Sequence, residues 1–454
     1  MKLGDVCEKP QYGYTASAKR EEVGPKFLRI TDLREGAIDW NTVPRCEVDE
    51  TDTAKYTLHH GDVLVARIGA TTGSTSIVVN PPPSVFASYL IRLRPTRDMH
   101  PFFLYFYTKS EQFCQWIDAH KDSNLKGGVN IPTLLSAPLT LPSLVEQQKI
   151  AAVLWKLQRA IATQDRLIAA TRDLKQSAMQ HLFTHGLRDE PTRETPYGDV
   201  PLKWRERPLG DCCHVQTGVT KGRKIAPEEA IEVPYLRVAN VQDGHLDLRE
   251  IKTITIRERE LPGYLLREGD VVLTEGGDFD QLGRGFIWHG QIKDCVHQNH
   301  VFAVRANGDL LMPEFLAYLV QSPYGKNYFL TVAHKTTNLA SINSTKLKAL
   351  PVLLPDLDEQ RDIATALATI DRKLAHHQKK RAALNDLFQT TLHQLMTAQI
   401  RVANLDIDAS EVADHSVDTN KMIGAKNLVA RRNQVADVSK IVKPAKSKPA
   451  DKDA

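Results

Sequence analysis

The stretch Leu141–Leu154 reads LPSLVEQQKIAAVL, and Leu354–Leu367 reads LPDLDEQRDIATAL. Eight of the fourteen positions are identical, at an offset of 213 residues. Each copy stands directly before a long run in which apolar residues recur at spacings of three and four, the period of a helix face. Ser143 and Glu146 fit the S-x-x-E pattern of a capping box, and Asp356 and Glu359 repeat it. Part of the repeated phrase is therefore a helix-start signal. The apolar positions fall at Ile150, Leu154, Leu157, Ile161, Ile168 and Leu182 in the first run. In the second they fall at Ile363, Leu367, Ile370, Leu374, Leu384, Phe388 and Leu395. Such a seam covers about five heptads, on the order of 50 Å. Gly186 is a natural stop for the first helix. Gln164, Thr171 and Lys175 interrupt the first seam, and His377 and Arg381 the second. Polar seam residues cost stability and fix register. An antiparallel pairing with Ile150 opposite Leu395 would put Gln164 near Arg381. The alternative is that these residues mark an exposed part of each helix.

The repetition extends outward from the phrase. KLGDVC at Lys2–Cys7 returns as PLGDCC at Pro208–Cys213, FLRITDLREGAIDW at Phe27–Trp40 as YLRVANVQDGHLDL at Tyr235–Leu248, and GDVLVARIG at Gly61–Gly69 as GDVVLTEGG at Gly269–Gly277. The offset grows slowly, from 206 to 213, as expected of two copies of one unit with a few insertions. In GDVLVARIG, a Gly-Asp turn leads into a strand with Val63, Val65 and Arg67 on one face and Leu64, Ala66 and Ile68 on the other. The stretches Pro101–Ile117 and Pro313–Phe329 open with Pro and read as helices. The expected organisation is a globular unit over 1–142, a helix over 143–186, a Pro- and charge-rich linker over 187–205, a second globular unit over 206–355 and a helix over 356–398. Residues 399–454 lose periodicity. One basic and five acidic residues in 401–420 give way to nine basic and three acidic in 421–454, which reads as a disordered tail.

Composition narrows the class. The 454 residues are enough for about two or three domains. Hydrophobic residues at 42% and charged residues at 25% are ordinary for a soluble protein. No run approaches the roughly 18 apolar residues of a membrane span, and MKLGDVCEKP lacks the apolar centre of a signal peptide. Cys7, Cys46, Cys114, Cys212, Cys213 and Cys295 form no C-x-x-C pair and read as reduced thiols of a cytoplasmic protein. The net charge of +4 permits nucleic-acid binding without arguing for it.

Two globular units, each followed by LP-x-L-x-EQ and a long helix, resemble the specificity subunit of type I restriction-modification enzymes, which serve in phage defence. The resemblance covers about residues 1–398 and rests on LGD, YLRVANVQDG, REGDVV and the LPxLxEQxxIAxxL phrases standing in order. It implies an α+β chain with two tandem target recognition domains of mixed α/β structure, each reading half of a split double-stranded DNA target. It also implies that the two long helices pair as an antiparallel coiled coil and dock two methyltransferase subunits, with motor-nuclease subunits joining to restrict DNA. On this reading the chain is not itself an enzyme. S-adenosylmethionine, ATP and Mg would belong to the partner subunits, with no cofactor or metal in this chain. The chain starts almost at LGD, without the lead-in that VPLKWRERP supplies to the second copy, so a short N-terminal segment is either missing or dispensed with. The alternatives are a stand-alone DNA methyltransferase or nuclease, or a coiled-coil scaffold without a DNA role.

Base reading needs Arg for guanine, Asn or Gln for adenine and Asp or Glu for cytosine, while Lys and Arg hold phosphates. Three loops per copy suit this. The first carries Tyr12, Tyr14, Thr15, Lys19 and Arg20, matched by Thr217, Lys221, Arg223 and Lys224. The second follows the Gly-Asp strand, with Arg67, Thr71 and Thr72 against Glu275, Gln281 and Arg284. Here Arg67 aligns with Glu275, a change from a guanine reader to a cytosine reader if both face the groove. The third carries Lys126 and Asn130 against Lys335, Thr337 and Asn338. The plainer alternatives are an exposed basic loop, ordinary strand-end charges and a polar connection. NPPP at Asn80–Pro83 lacks the aromatic that would stack a flipped adenine, and HQNH at His297–His300 has no glutamate between its histidines. Neither is expected to be a catalytic or metal site, and no phosphate-loop motif occurs.

Overall fold

A computed structural model describes residues 1–33, 36, 38–121, 127–277, 282–335 and 340–413. The chain sorts into two compact units. The first contains residues 1–168 together with the described residues from 376 onward, and the second contains 169–375.

The first unit is built on a four-stranded antiparallel sheet of β1 (Gln11–Tyr12), β2 (Val63–Ala66), β3 (Thr75–Ile77) and β4 (Leu90–Leu93), in the order β1-β4-β2-β3. The strand β2 is buried on both faces. Val63 and Val65 pack with Phe102, Phe103 and Phe106, while Leu64 and Ala66 pack with Leu28, Trp40 and Phe86. The alternation expected of GDVLVARIG thus divides one strand between two cores. At its start Asp62, 1% exposed, accepts two hydrogen bonds from Arg94 at 2.7 and 2.9 Å and a third from the His59 amide. Pro101–Ile117 is two helices rather than one, α1 (Pro101–Tyr107) and α2 (Glu111–His120). The break falls at Ser110, whose hydroxyl accepts the Phe113 amide and so starts a new helix. A short helix α3 (Ile131–Leu135) follows, then α4 (Leu144–His185).

The second unit repeats the plan. Strands β5 (Cys213–Thr217), β6 (Val271–Thr274), β7 (Gly285–Ile287) and β8 (Val301–Ala306) form an antiparallel sheet in the order β5-β8-β6-β7. Asp270 is fully buried and is held by Arg305 at 2.8 and 2.7 Å, as Asp62 is by Arg94. The helices are α5 (Pro313–Gln321), α6 (Pro323–Val332), α7 (Ser344–Lys348) and α8 (Leu357–Met396). Ser322 divides α5 from α6 by the same cap that Ser110 supplies.

The repeated phrase now has a second explanation. Ser143 and Asp356 do cap their helices, accepting the Glu146 and Glu359 amides at 3.3 and 2.8 Å. The glutamates do not close the box. Glu146 binds Arg401 through two bonds of 2.7 Å, and Glu359 accepts the Leu187 amide at 3.1 Å. The following glutamines are clamps. Gln147 accepts from the His100 amide at 2.8 Å and donates to the Asp98 and Pro142 carbonyls, each at 3.0 Å. Gln360 accepts from the Met312 amide at 2.9 Å and donates to the Leu310 and Pro355 carbonyls, each at 3.0 Å. The glutamine of each EQ therefore ties the start of a long helix to the loop that opens α1 or α5.

The long helices run antiparallel. In the first unit Glu146 lies by Arg401, Gln164 by His377 at 2.9 Å and Asp165 by Arg381 at 3.0 Å. In the second, Lys175 pairs with Asp371 at 2.7 Å. Of the polar interruptions, Gln164, only 6% exposed, and His377 meet each other, while Arg381 and Lys175 pair with Asp165 and Asp371. Gln164 bonds His377 rather than Arg381, about one helical turn from the expected contact. Among the seam residues, Ile150, Leu154, Ile168, Leu182, Ile363, Leu367, Phe388 and Leu395 are buried, and Leu157, Ile161, Ile370, Leu374 and Leu384 are half-buried. Ile150 and Leu154 share a core with Phe102, Phe388 and Leu395, and Ile363 and Leu367 one with Leu182 and Phe315. The ends of the seam therefore anchor a globular core as well as a helix. Residues 401–413 are packed, which corrects the expectation of disorder for that part. Val402 and Val412 join the first unit's core, Lys149 donates to the Ala403 and Leu405 carbonyls, and Arg159 pairs with Glu411. Residues 414–454 lie outside the described residues.

Candidate nucleic-acid interface

The described parts of the three loops singled out in each copy meet at one end of its main sheet. In the first unit Arg67 follows the last residue of β2. Its carbonyl accepts the Val129 amide of the third loop at 2.8 Å, and its guanidinium carbon lies 4.5 Å from the centroid of the Tyr12 ring in the first loop. The Tyr12 hydroxyl accepts the Ile131 amide at 3.3 Å, closing the triangle. The guanidinium is held over the ring face by cation–π attraction and has no ion-pair partner among the described residues.

The second unit puts the same backbone contacts around different side chains. The Glu275 carbonyl accepts the Ile342 amide at 2.8 Å, and Gly276 and Gly277 pair with Ser341 and Ala340. Glu275 thus stands where Arg67 stands, but its carboxylate contacts the His300 ring nitrogen Nδ1 at 2.5 Å. The first loops are pinned by close backbone approach. A Cβ on Gly13 would lie 2.3 Å from the Phe86 and Ala87 carbonyl oxygens, and one on Gly218 2.0 Å from that of His297. Only glycine fits either place.

The remaining candidates divide by what their side chains already do. Asn130 caps α3 by accepting the Thr133 amide at 2.9 Å, a task repeated by Asn343 at α7. The hydroxyl of Thr72 donates to the Gly69 carbonyl at 2.8 Å. The ring of Tyr14 packs 5.4 Å from that of Tyr56. Lys19 pairs with Glu47 at 2.6 Å and Arg223 with Glu260 at 2.5 Å, so these two cations shape their loops. Arg284 reaches the Gln242 side chain and the Val238 carbonyl. The Lys221 ammonium lies over the Tyr235 ring at 5.5 Å. Thr15, Arg20, Thr71, Thr217, Lys221 and Lys224 are exposed. Lys335 stands in a two-residue strand paired with Ala340. Lys126, Gln281, Thr337 and Asn338 lie outside the described residues.

Two exposed residues at this end escaped the sequence reading, Tyr89 and His300. Their carbonyls accept the Arg67 and Glu275 amides at 3.0 and 2.9 Å, so they occupy equivalent places. No local signal marks Tyr89, and His300 is marked only as the last residue of HQNH. His297 of the same HQNH motif is fully buried with Nδ1 2.6 Å from the Val301 carbonyl, and burial pushes its pKa down to about 4. It is a neutral core histidine. Among the described residues no group of three or more His, Cys, Asp or Glu is placed to hold a metal ion. All six cysteines are unpaired, and burial pushes the Cys7, Cys213 and Cys295 thiols up to about 12. No described helix is long and apolar enough to cross a membrane.

Comparisons with known proteins agree with this duplicated plan. The type I restriction modification DNA specificity domain matches residues 1–170 and again 201–386. A Methanocaldococcus jannaschii relative named as the MjaX specificity subunit is 27% identical over 46% of this chain, which spans about half of that relative, 49%. The type I restriction enzyme EcoKI specificity subunit of Escherichia coli is 25% identical over 85% of both chains. The solved S subunit of a type I restriction-modification system from M. genitalium shares the fold with a TM-score of 0.53 at 15% identity, covering 87% of this chain and 95% of that one. With the domain matched twice over most of its length, this chain belongs to the specificity subunits of type I restriction-modification systems.

Proposed function

We propose that this chain reads a split double-stranded DNA target, each unit contacting one half-site through the three loops gathered at the end of its main sheet. One observation carries the reading. The two units hold equivalent positions with equivalent backbone hydrogen bonds, yet fill them with chemically different side chains, Arg67 over Tyr12 in one and Glu275 against His300 in the other. A scaffold conserved in geometry and varied in hydrogen-bonding character is what two readers of different sequences require. On this reading Arg67 donates to guanine, and the exposed Arg20, Lys221 and Lys224 hold phosphates. The chain does no chemistry itself. The paired helices α4 and α8 offer docking surfaces for two methyltransferase subunits, with motor-nuclease subunits completing a restriction complex in the cytoplasm. S-adenosylmethionine, ATP and Mg are used by those partners.

The test is methylome sequencing of cells expressing a cognate methyltransferase subunit with and without this chain. A split adenine-methylated motif that depends on the chain is expected. Methylation of an identical motif by the methyltransferase subunit alone would overturn the reading.

A further inference from the structure

The turn before β8 in the second unit, and its counterpart before β4 in the first, join the first and second loops. The Asn299 amide donates to the Val219 carbonyl at 2.9 Å and the Glu275 amide to the His300 carbonyl at 2.9 Å. In the first unit the Ser88 amide donates to the Tyr14 carbonyl at 2.8 Å and the Arg67 amide to the Tyr89 carbonyl at 3.0 Å. Both turns are therefore fixed by backbone bonds on two sides. Both end in an exposed ring, with Tyr89 55% exposed and the His300 side chain also 55% exposed.

The orientation of the His300 ring follows from its partners. A carboxylate only accepts, so Nδ1 facing Glu275 carries the proton. In the neutral ring with its proton on Nδ1 the other nitrogen, Nε2, is the acceptor, and it lies 3.4 Å from the Asn299 side-chain nitrogen. The Glu275 carboxylate is less exposed than the imidazole, at 30%, and its Oε2 is already engaged. The outermost group of the pair is an oriented imidazole whose single Nε2 lone pair meets only the long 3.4 Å contact from Asn299, which a base amino group would displace.

We propose that His300 is a specificity-determining residue of the second unit, presenting Nε2 to an exocyclic amino group of a base, adenine N6 or cytosine N4, with Glu275 as its positioning residue. Tyr89 holds the equivalent post in the first unit. This rests on the DNA-reading function proposed above and replaces the direct reading of cytosine by Glu275 that the sequence suggested. An acceptor at this point favours adenine or cytosine over guanine or thymine, whose major-groove edges present O6 or O4 there.

The test uses the full chain co-expressed with its methyltransferase subunits. His300→Ala is expected to leave one half-site intact and make one base of the other degenerate, admitting guanine or thymine there. Tyr89→Ala is expected to relax the opposite half-site. Glu275→Gln, which keeps a hydrogen bond but no longer requires the proton on Nδ1, should relax the position affected by His300→Ala, to a smaller degree. Should His300→Ala abolish methylation, binding of the purified complex to duplexes substituted one base pair at a time reads the same quantity. Discrimination at one position should fall by roughly tenfold to a hundredfold. An unchanged motif, unchanged discrimination at every position, or relaxation of the same half-site by both ring substitutions would overturn the assignment. If the unaltered chain directs no split motif, the failure lies in the proposed function instead.

Discussion

Replacing Gln360 by alanine removes three hydrogen bonds at one point, those to the Met312 amide and the Leu310 and Pro355 carbonyls. The side chain is fully buried, so the three groups lose their partner in a site closed to bulk water. At about 1 kcal/mol for each bond made, and more where a buried group stays unsatisfied, the loss is about 3–5 kcal/mol. For a unit of this size that lowers the unfolding midpoint by roughly 6–20 °C. Gln360→Glu is the sharper test. It keeps the acceptor for Met312 but turns a donor facing two carbonyls into an acceptor-only carboxylate. The folded state then favours the protonated carboxyl, raising its folded pKa above the ordinary value of about 4.3. Stability is accordingly present at low pH and lost as pH rises through the raised value. Thermal unfolding from pH 5 to pH 8, with hydrogen exchange at the Met312 amide, measures both effects. Gln360→Glu should be no more stable than Gln360→Ala at pH 8 and should recover toward pH 5. Wild-type stability and full Met312 protection for Gln360→Glu at pH 8 would refute the clamp.

Asp270→Asn leaves the Arg305 guanidinium without its charge partner beside a fully buried site, and denaturant unfolding should show a loss of about 3–5 kcal/mol. Gly218→Ala should displace the first loop of the second unit, since the added Cβ would fall 2.0 Å from the His297 carbonyl. DNA binding by the assembled complex should drop while far-ultraviolet circular dichroism is retained, whereas Gly263→Ala, with nothing within 4 Å of the new Cβ, should match the wild type in both. The Arg401 guanidinium holds the Glu146 carboxyl below its ordinary range, so this ion pair stabilises the docked segment above about pH 4.5 and is lost as pH falls through the lowered value. Glu146→Gln should therefore speed tryptic cleavage after Arg401 at neutral pH, and an unchanged rate would count against the contact.

Local signals carried far. The duplication, the Gly-Asp strand and the two long helices were legible because each is a periodic pattern or a phrase repeated within a few residues. The helix pair was placed to within one turn, because apolar spacing along two helices leaves few antiparallel registers that bury both seams. The helix breaks at Ser110 and Ser322 were missed, although both serines are cap residues, because an opening Pro marks where a helix starts and not where it ends. The loops were found, but not which of their side chains are free. Asn130 and Arg223 have the right chemistry for DNA and are engaged instead by an α3 amide and by Glu260.

The sequence by itself determined that two copies of one unit alternate with two long helices, because strand and helix periods are set by contacts between near neighbours. Tertiary structure alone decided what the repeated EQ holds, since the partners of Gln147 and Gln360 include residues 47 and 48 positions away. It alone brought Tyr12, Arg67 and Val129 to one sheet end, and set Glu275 against His300 across 25 residues. Hydrogen-bond partners are chosen by where the folded backbone brings donors and acceptors within about 3 Å, and no spacing along the chain encodes that distance.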